Sequence, residues 1–238
     1  MQGSSFTFKQ FEIHQDRCAM KVGTDGVLLG AWADIEGCRS ILDIGTGTGV
    51  IALMAAQRAA EAIVTGIEID AEAAEQAREN AARSPFAKRV HIVTADFIAF
   101  AEQSPKKHFD ALLCNPPYFA DALKCPDAAR RTARHDDTLS LDALSRCAAQ
   151  LLTAEGTLSV VLPFDRRADM IAAAAERQLF PCRETRILTL PHKAPKRILM
   201  SFSPNATGCT PNELCIDAAP GQPTNEYKNL VKNFYLKF

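Results

Sequence analysis

The tetrapeptide Asn115-Pro116-Pro117-Tyr118 combines residue types suited to one kind of chemistry. Two prolines lock the chain extended, so the Asn115 side chain and the Pro116 carbonyl point in fixed directions. Both accept hydrogen bonds. An amide or aromatic NH2 group is a poor nucleophile because its lone pair is delocalised. Two acceptors gripping its hydrogens return electron density to nitrogen as it attacks an electrophilic methyl. Tyr118 offers a flat face to a planar substrate. No strong general base is required, because the nitrogen becomes acidic only after alkylation. The competing reading of this candidate catalytic group is a Pro-Pro turn that ends a strand.

Upstream, Leu42-Asp43-Ile44-Gly45-Thr46-Gly47-Thr48-Gly49 closes one apolar run and opens another. Glycine is needed where a backbone turns tightly against a ligand, since a Cβ blocks both. Gly47 to Ala52 also fits the dinucleotide pattern G-x-G-x-x-A, so the glycines alone do not separate NAD from other adenosine cofactors. An acidic residue about 20 positions on is expected to bind a ribose; Glu68 qualifies, with Asp70 as its rival. Ala95-Asp96-Phe97 adds a carboxylate for an adenine amino group and an aromatic for its ring. Taken singly, Asp43 and Asp96 read as turn or N-cap residues, Glu68 as a solvated strand end and Phe97 as core. Their order on successive βα units favours the ligand reading.

The surrounding elements must bring these groups to one edge. Phe6, Phe8, Phe11 and Ile13 sit in a β-like segment, with the stretch from Ala19 to Val22 expected as its hairpin partner. Asp25 is expected to cap a helix carrying Val27, Leu28, Ala31 and Trp32. From Ser40 a βα rhythm sets in, with an alanine face of Ala74, Ala77 and Ala81 on its second helix. Apolar strands alternating with helices predict an α/β fold whose parallel sheet is covered on both faces. The runs from Arg183 to Leu190 and from Arg197 to Phe202 read as a closing antiparallel pair, because their connection is too short for a crossover helix. Open α/β sheets bind ligands at the carboxyl ends of their strands, where both motifs fall.

Composition narrows the class. The 238 residues are 47% hydrophobic and 23% charged, with a formal net charge of −1. That balance excludes a disordered tail protein and a globally basic polyanion binder. Eight cysteines without a C-x-x-C pair predict reduced thiols and no metal site. Met1 to Lys9 lacks a leader pattern, Gln2 excludes myristoylation, and Ile41 to Ala56 falls short of the ~20 clean apolar residues of a membrane span. A soluble, cytoplasmic chain that does not engage a membrane is expected.

Asp43 to Gly49 together with Asn115 to Tyr118 resembles the class I S-adenosylmethionine-dependent methyltransferases that modify planar amino groups. The resemblance implies S-adenosylmethionine as cofactor and a Rossmann-like, seven-stranded, mostly parallel sheet with helices on both faces. More narrowly, Met20 to Trp32 and the ending Asn233-Phe234-Tyr235-Leu236-Lys237-Phe238 are similar to the bacterial tRNA adenine-N6 methyltransferases that act beside the anticodon of a valine tRNA. That resemblance covers essentially the whole chain. It implies Gly23, Thr24 and Asp25 beside the cofactor, along with Asp43, Gly45, Gly47 and Gly49. It further implies Glu68 on the ribose, Asp96 and Phe97 on the adenine, and Asn115 with Tyr118 on the target base. Residues 1–34 are expected as a hairpin and helix extension packed on a methyltransferase domain spanning 35–238.

The charge distribution bears on the partner. Lys124, Arg130, Arg131 and Arg134 stand against Asp127 alone, four cations to one acid and a local formal +3, directly after the tetrapeptide. Lys193, Lys196 and Arg197, with His192, form a second basic group. Such clusters around an aromatic pocket suit phosphates flanking one unstacked base, so a tRNA is the expected partner of a monomeric enzyme. The bland reading is two solvated loops. Three other functions stay open: N5-methylation of protein glutamine, for which residues 1–34 are short as a peptide-binding module; DNA adenine-N6 methylation, without an evident target-recognition domain; and non-catalytic RNA binding, against which intact Asn115 and Tyr118 argue.

Overall fold

Near-continuous burial along the central strands gives a sheet with two dry faces, and the helices divide between them. The computed structural model describes residues 5–116 and 139–237. A small hairpin, β1 (Ser5–Thr7) and β2 (Glu12–His14), leads to α1 (Thr24–Trp32). Then follow β3 (Ser40–Ile44), α2 (Val50–Arg58), β4 (Ile63–Glu68), α3 (Ala71–Arg83), β5 (Val90–Thr94), α4 (Phe97–Gln103) and β6 (Phe109–Cys114). Beyond the undescribed stretch come α5 (Leu141–Leu151), β7 (Leu152–Pro163), α6 (Arg167–Ala175), β8 (Phe180–Leu188), β9 (Arg197–Ser203) and β10 (Asn212–Cys215). A ribbon of β11 (Asp217–Ala219) and β12 (Gln222–Pro223) precedes α7 (Asn225–Val231).

The main sheet has the order β10-β8-β9-β7-β6-β3-β4-β5. Only β9 runs against its neighbours, antiparallel to both β7 and β8. The α/β class and the closing antiparallel pair are as expected, but the sheet has eight strands rather than seven. The extra strand, β10, lies parallel to β8. Its four residues, Asn-Glu-Leu-Cys, bury only Leu214, so no alternation marks it in advance.

Ile41, Ala111 and Val161 face a core shared with α1, α2 and α7, whereas Leu42, Leu112 and Leu162 face one shared with α4, α5 and α6. Hairpin residues Phe8, Phe11 and Ile13 join the first of these cores. β1 does not pair with the stretch from Ala19 to Val22. A Phe8 N–H to Phe11 carbonyl bond of 2.8 Å turns the chain early, so that Ser5 opposes His14. Phe8 and Phe11 then stack at 4.7 Å and are buried together. The expected cap is also different: Gly23 occupies the N-cap of α1 with no side-chain bond, and Asp25 lies in the first turn.

Candidate functional site

The chain progresses from β3 outward to β4 and β5, then returns to add β6 on the other side of β3. Open sheets bind ligands in the crevice left at such a reversal. Ile44 and Cys114 are register partners across β3 and β6, so the turns beginning at Gly45 and Asn115 leave adjacent strands at the same level. Asn115 is partly exposed and Pro116 is buried. Pro117 and Tyr118 lie outside the described residues, as do Lys124, Arg130, Arg131 and Arg134.

Gly45, Gly47 and Gly49 all adopt positive φ, the left-handed region that side chains disfavour. A Cβ on Gly45 or Gly47 would meet no atom within 4 Å, so the loop's outer face is bare backbone. Thr46 anchors it, with its N–H on the Ile67 carbonyl at 2.8 Å and its hydroxyl on Asp43 Oδ2 at 2.5 Å. The same carboxylate oxygen accepts the Ala52 N–H at 3.0 Å. Asp43 is fully buried, and its Oδ1 has no partner among the described residues. Burial outweighs these bonds and pushes the carboxyl up to about 7. Space beneath Thr46 is equally tight: a Cβ on Gly66 would lie 2.9 Å from its hydroxyl.

Glu68, at the end of β4, accepts the Gly47 N–H at 2.9 Å on one oxygen and the Asp70 N–H at 3.0 Å on the other. Asp70 caps α3 through the Ala73 N–H at 2.8 Å. Of the two rivals, Glu68 is therefore the one facing the glycine loop. Asp96 caps α4 in the same manner, 2.9 Å from the Ala99 N–H, while Phe97 packs into the second core. Between the two acids sits Ile69, 66% exposed. Sequence reasoning missed it, although an isoleucine flanked by carboxylates just past a strand end is the available signal.

Asp25 accepts from Arg197 Nε at 2.8 Å, joining the residues after Gly23 and Thr24 to the start of β9. Arg197, expected among phosphate contacts, is thus engaged within the protein. Lys193 and Lys196 are exposed on the preceding loop. Cys114 adjoins Asn115 but is no nucleophile, because burial first and Asp43 second hold its thiol far above the ordinary range. Cys18 is pushed up to about 11, again chiefly by burial. Among the described residues no group of three His, Cys, Asp or Glu side chains is placed to hold a metal, and no helix is long and apolar enough to cross a membrane.

The bare glycine loop, the orphaned Asp43 oxygen, Glu68 and exposed Ile69 together fit an adenosyl cofactor. Residues 26–174 match the methyltransferase small domain family, and the chain belongs to it. Within that class it belongs to the same family as proteins named tRNA1(Val) (adenine(37)-N6)-methyltransferase. It is 48% identical to the one from Bacteroides thetaiotaomicron, over 99% of each chain, and 46% identical to that from Phocaeicola vulgatus, again over 99% of each. A crystal structure of a predicted O-methyltransferase from Agrobacterium tumefaciens superposes with a TM-score of 0.71, covering 88% of this chain and 96% of its own at 24% identity. That likeness bears on the fold.

A raised carboxyl has a consequence for stability. Folding takes up a proton on Asp43 between the ordinary value of 3.8 and about 7. Stability from the neutral form is complete below the lower value and lost as pH rises through the upper one. The urea midpoint of the protein should therefore fall between about pH 5 and about pH 8, more steeply than that of Asp43→Asn. Equal slopes would mean that Asp43 is ionised throughout.

Proposed function

We propose that this protein transfers the methyl group of S-adenosylmethionine to N6 of an adenosine in tRNA, the nucleotide at position 37 beside the anticodon of a valine tRNA. One observation carries the reading. The register of Ile44 with Cys114 sets the glycine loop and Asn115 side by side at the carboxyl edge, so a cofactor on the first faces a base held by the second. The full-length relatives named for this reaction supply the choice of base.

When bound, the cofactor supplies a methyl on a positively charged sulfur that departs as a neutral thioether. The chain's own residues do the rest. Glu68 accepts from the ribose hydroxyls, and Asp96, with one oxygen capping α4, offers the other to the adenine amino group beside Ile69 and Phe97. Gly23 and Thr24, at the start of α1, line the same side. Asn115 and the Pro116 carbonyl hold the two N6 hydrogens of the target base, keeping the lone pair aimed at the methyl, while Tyr118 stacks on its ring and Pro117 stiffens the turn. Once alkylated, the nitrogen is strongly acidic and gives its surplus proton to water, so no basic side chain is needed.

Lys193 and Lys196, with Lys124, Arg130, Arg131 and Arg134, meet phosphates of the anticodon arm. Arg197 serves instead as a strut through Asp25. The enzyme works as a cytoplasmic monomer on a base drawn out of a single-stranded loop.

RNA from cells lacking the gene, incubated with purified enzyme and methyl-labelled cofactor, should yield label in N6-methyladenosine. Label in N2-methylguanosine, or in protein, contradicts the proposal. In that assay Asn115→Ala should lose roughly 100-fold or more in turnover while binding S-adenosylhomocysteine normally. In binding titrations, Lys193→Ala and Lys196→Ala should each lower the salt slope of RNA affinity by about 1, whereas Arg197→Gln leaves it unchanged. A reduced slope for Arg197→Gln would make that residue a phosphate contact.

A further inference from the structure

Helix α3 buries two polar side chains one turn apart, Gln76 and Asn80, beside the alanine face that packs it. Gln76 accepts the Arg17 N–H at 3.1 Å and donates to Asp16 at 2.7 Å, holding the chain between the hairpin and α1. Asn80, with no exposed surface, does something different. Its Oδ1 accepts the His14 N–H at 2.9 Å, and its Nδ2 donates to the His14 carbonyl at 2.9 Å and to the Thr48 carbonyl at 2.9 Å. One carboxamide thus pairs with the open edge of β2 as a neighbouring strand would, and with its remaining hydrogen grips the middle of the glycine loop.

Thr48 is almost fully buried, so without Asn80 its carbonyl would be left without this donor in a dry setting. One further hydrogen bond fixes the same loop, from the Gly47 N–H to Glu68, and Gly49 lies close against α3, where an added Cβ would stand 3.4 Å from the Cβ of Ala77. The loop therefore has three supports, from β3 through Asp43, from β4 through Glu68, and from α3 through Asn80. Among the described residues, only the last is shared with the N-terminal hairpin. Aspartate lacks both donors, serine offers one donor where two are used, and glutamine is longer by a methylene, so the geometry calls for asparagine.

We propose that Asn80 is a positioning residue for the cofactor: it holds the Thr48 carbonyl so that the outer face of the glycine loop keeps the shape that receives S-adenosylmethionine, and makes docking of the hairpin a condition of that shape. This rests on the reading that the glycine loop takes the cofactor. Asn80 touches neither base nor reacting atoms, so its loss acts on cofactor affinity and spares the chemical step.

The test is calorimetric titration of S-adenosylhomocysteine into the full chain, with steady-state kinetics alongside. Asn80→Ala should weaken binding by about tenfold and raise KM for S-adenosylmethionine likewise, with kcat at saturating cofactor within about twofold. Asn80→Ser, a milder change, should lie between it and the wild type. Met170→Ala, a fully buried cavity variant in the other core, controls for lost stability and should bind within about twofold of the wild type. Two results overturn the inference: Asn80 variants that bind like the wild type, or a Met170→Ala loss as large as theirs. If the wild type takes up no S-adenosylhomocysteine, the cofactor reading falls and this inference with it; normal wild-type binding with unaffected Asn80 variants removes this inference alone.

Discussion

A carboxyl group with no exposed surface lies beneath the turn from β3 into α2, and the geometry of the site depends on it. Asp43 spends both of its hydrogen bonds on one oxygen, gripping Thr46 within the turn and Ala52 in the helix that follows. The loop between is therefore closed from below, and three left-handed glycines complete a turn that ordinary residues would strain. Burying a carboxyl is costly, which is why the fold favours its neutral form. What that cost secures is a backbone surface free of side chains at the mouth of the sheet. Gly66 has no Cβ for a related reason, since one would press on Thr46 and so on Asp43.

Sheet topology converts this local device into a two-part site. Because β3 is central, its neighbours present Glu68 on one side and Asn115 on the other. Glu68 supports the loop through Gly47, and Asn115 directly follows the end of β6. The residues proposed to bind cofactor and base thus come from different strands but share one edge. Asn80 ties the N-terminal hairpin to Thr48, and the Arg197–Asp25 pair ties the start of β9 to α1, linking residues far apart in sequence.

Much of this was legible beforehand, for physical reasons that vary by element. The alanine face of Ala74, Ala77 and Ala81 is buried on α3 as expected, because its helical period alone fixes which side packs. The glycine loop, Glu68 and Asn115 were readable because each needs a rare residue type at a set distance from a strand end. Expectation failed where tertiary contacts decide. The hairpin turned at Phe8 to Phe11 because two aromatic rings could be buried together, which a period cannot foresee. Asp25 found a more favourable partner in Arg197 than the helix start it was expected to cap. On α3 the alanine stripe was evident, but nothing local marks Gln76 and Asn80 for burial, because their partners lie in the distant N-terminal segment and the glycine loop. β10 is a strand by virtue of its neighbour β8.

The account stands on a single edge serving both cofactor and base, and a crystal structure of the full chain with S-adenosylhomocysteine tests it most directly. It should place the ribose hydroxyls on Glu68, the adenine beside Ile69 and Asp96, and the sulfur facing Asn115 across the β3–β6 crevice. A nucleoside bound away from Glu68, or a sulfur turned away from Asn115, would contradict it.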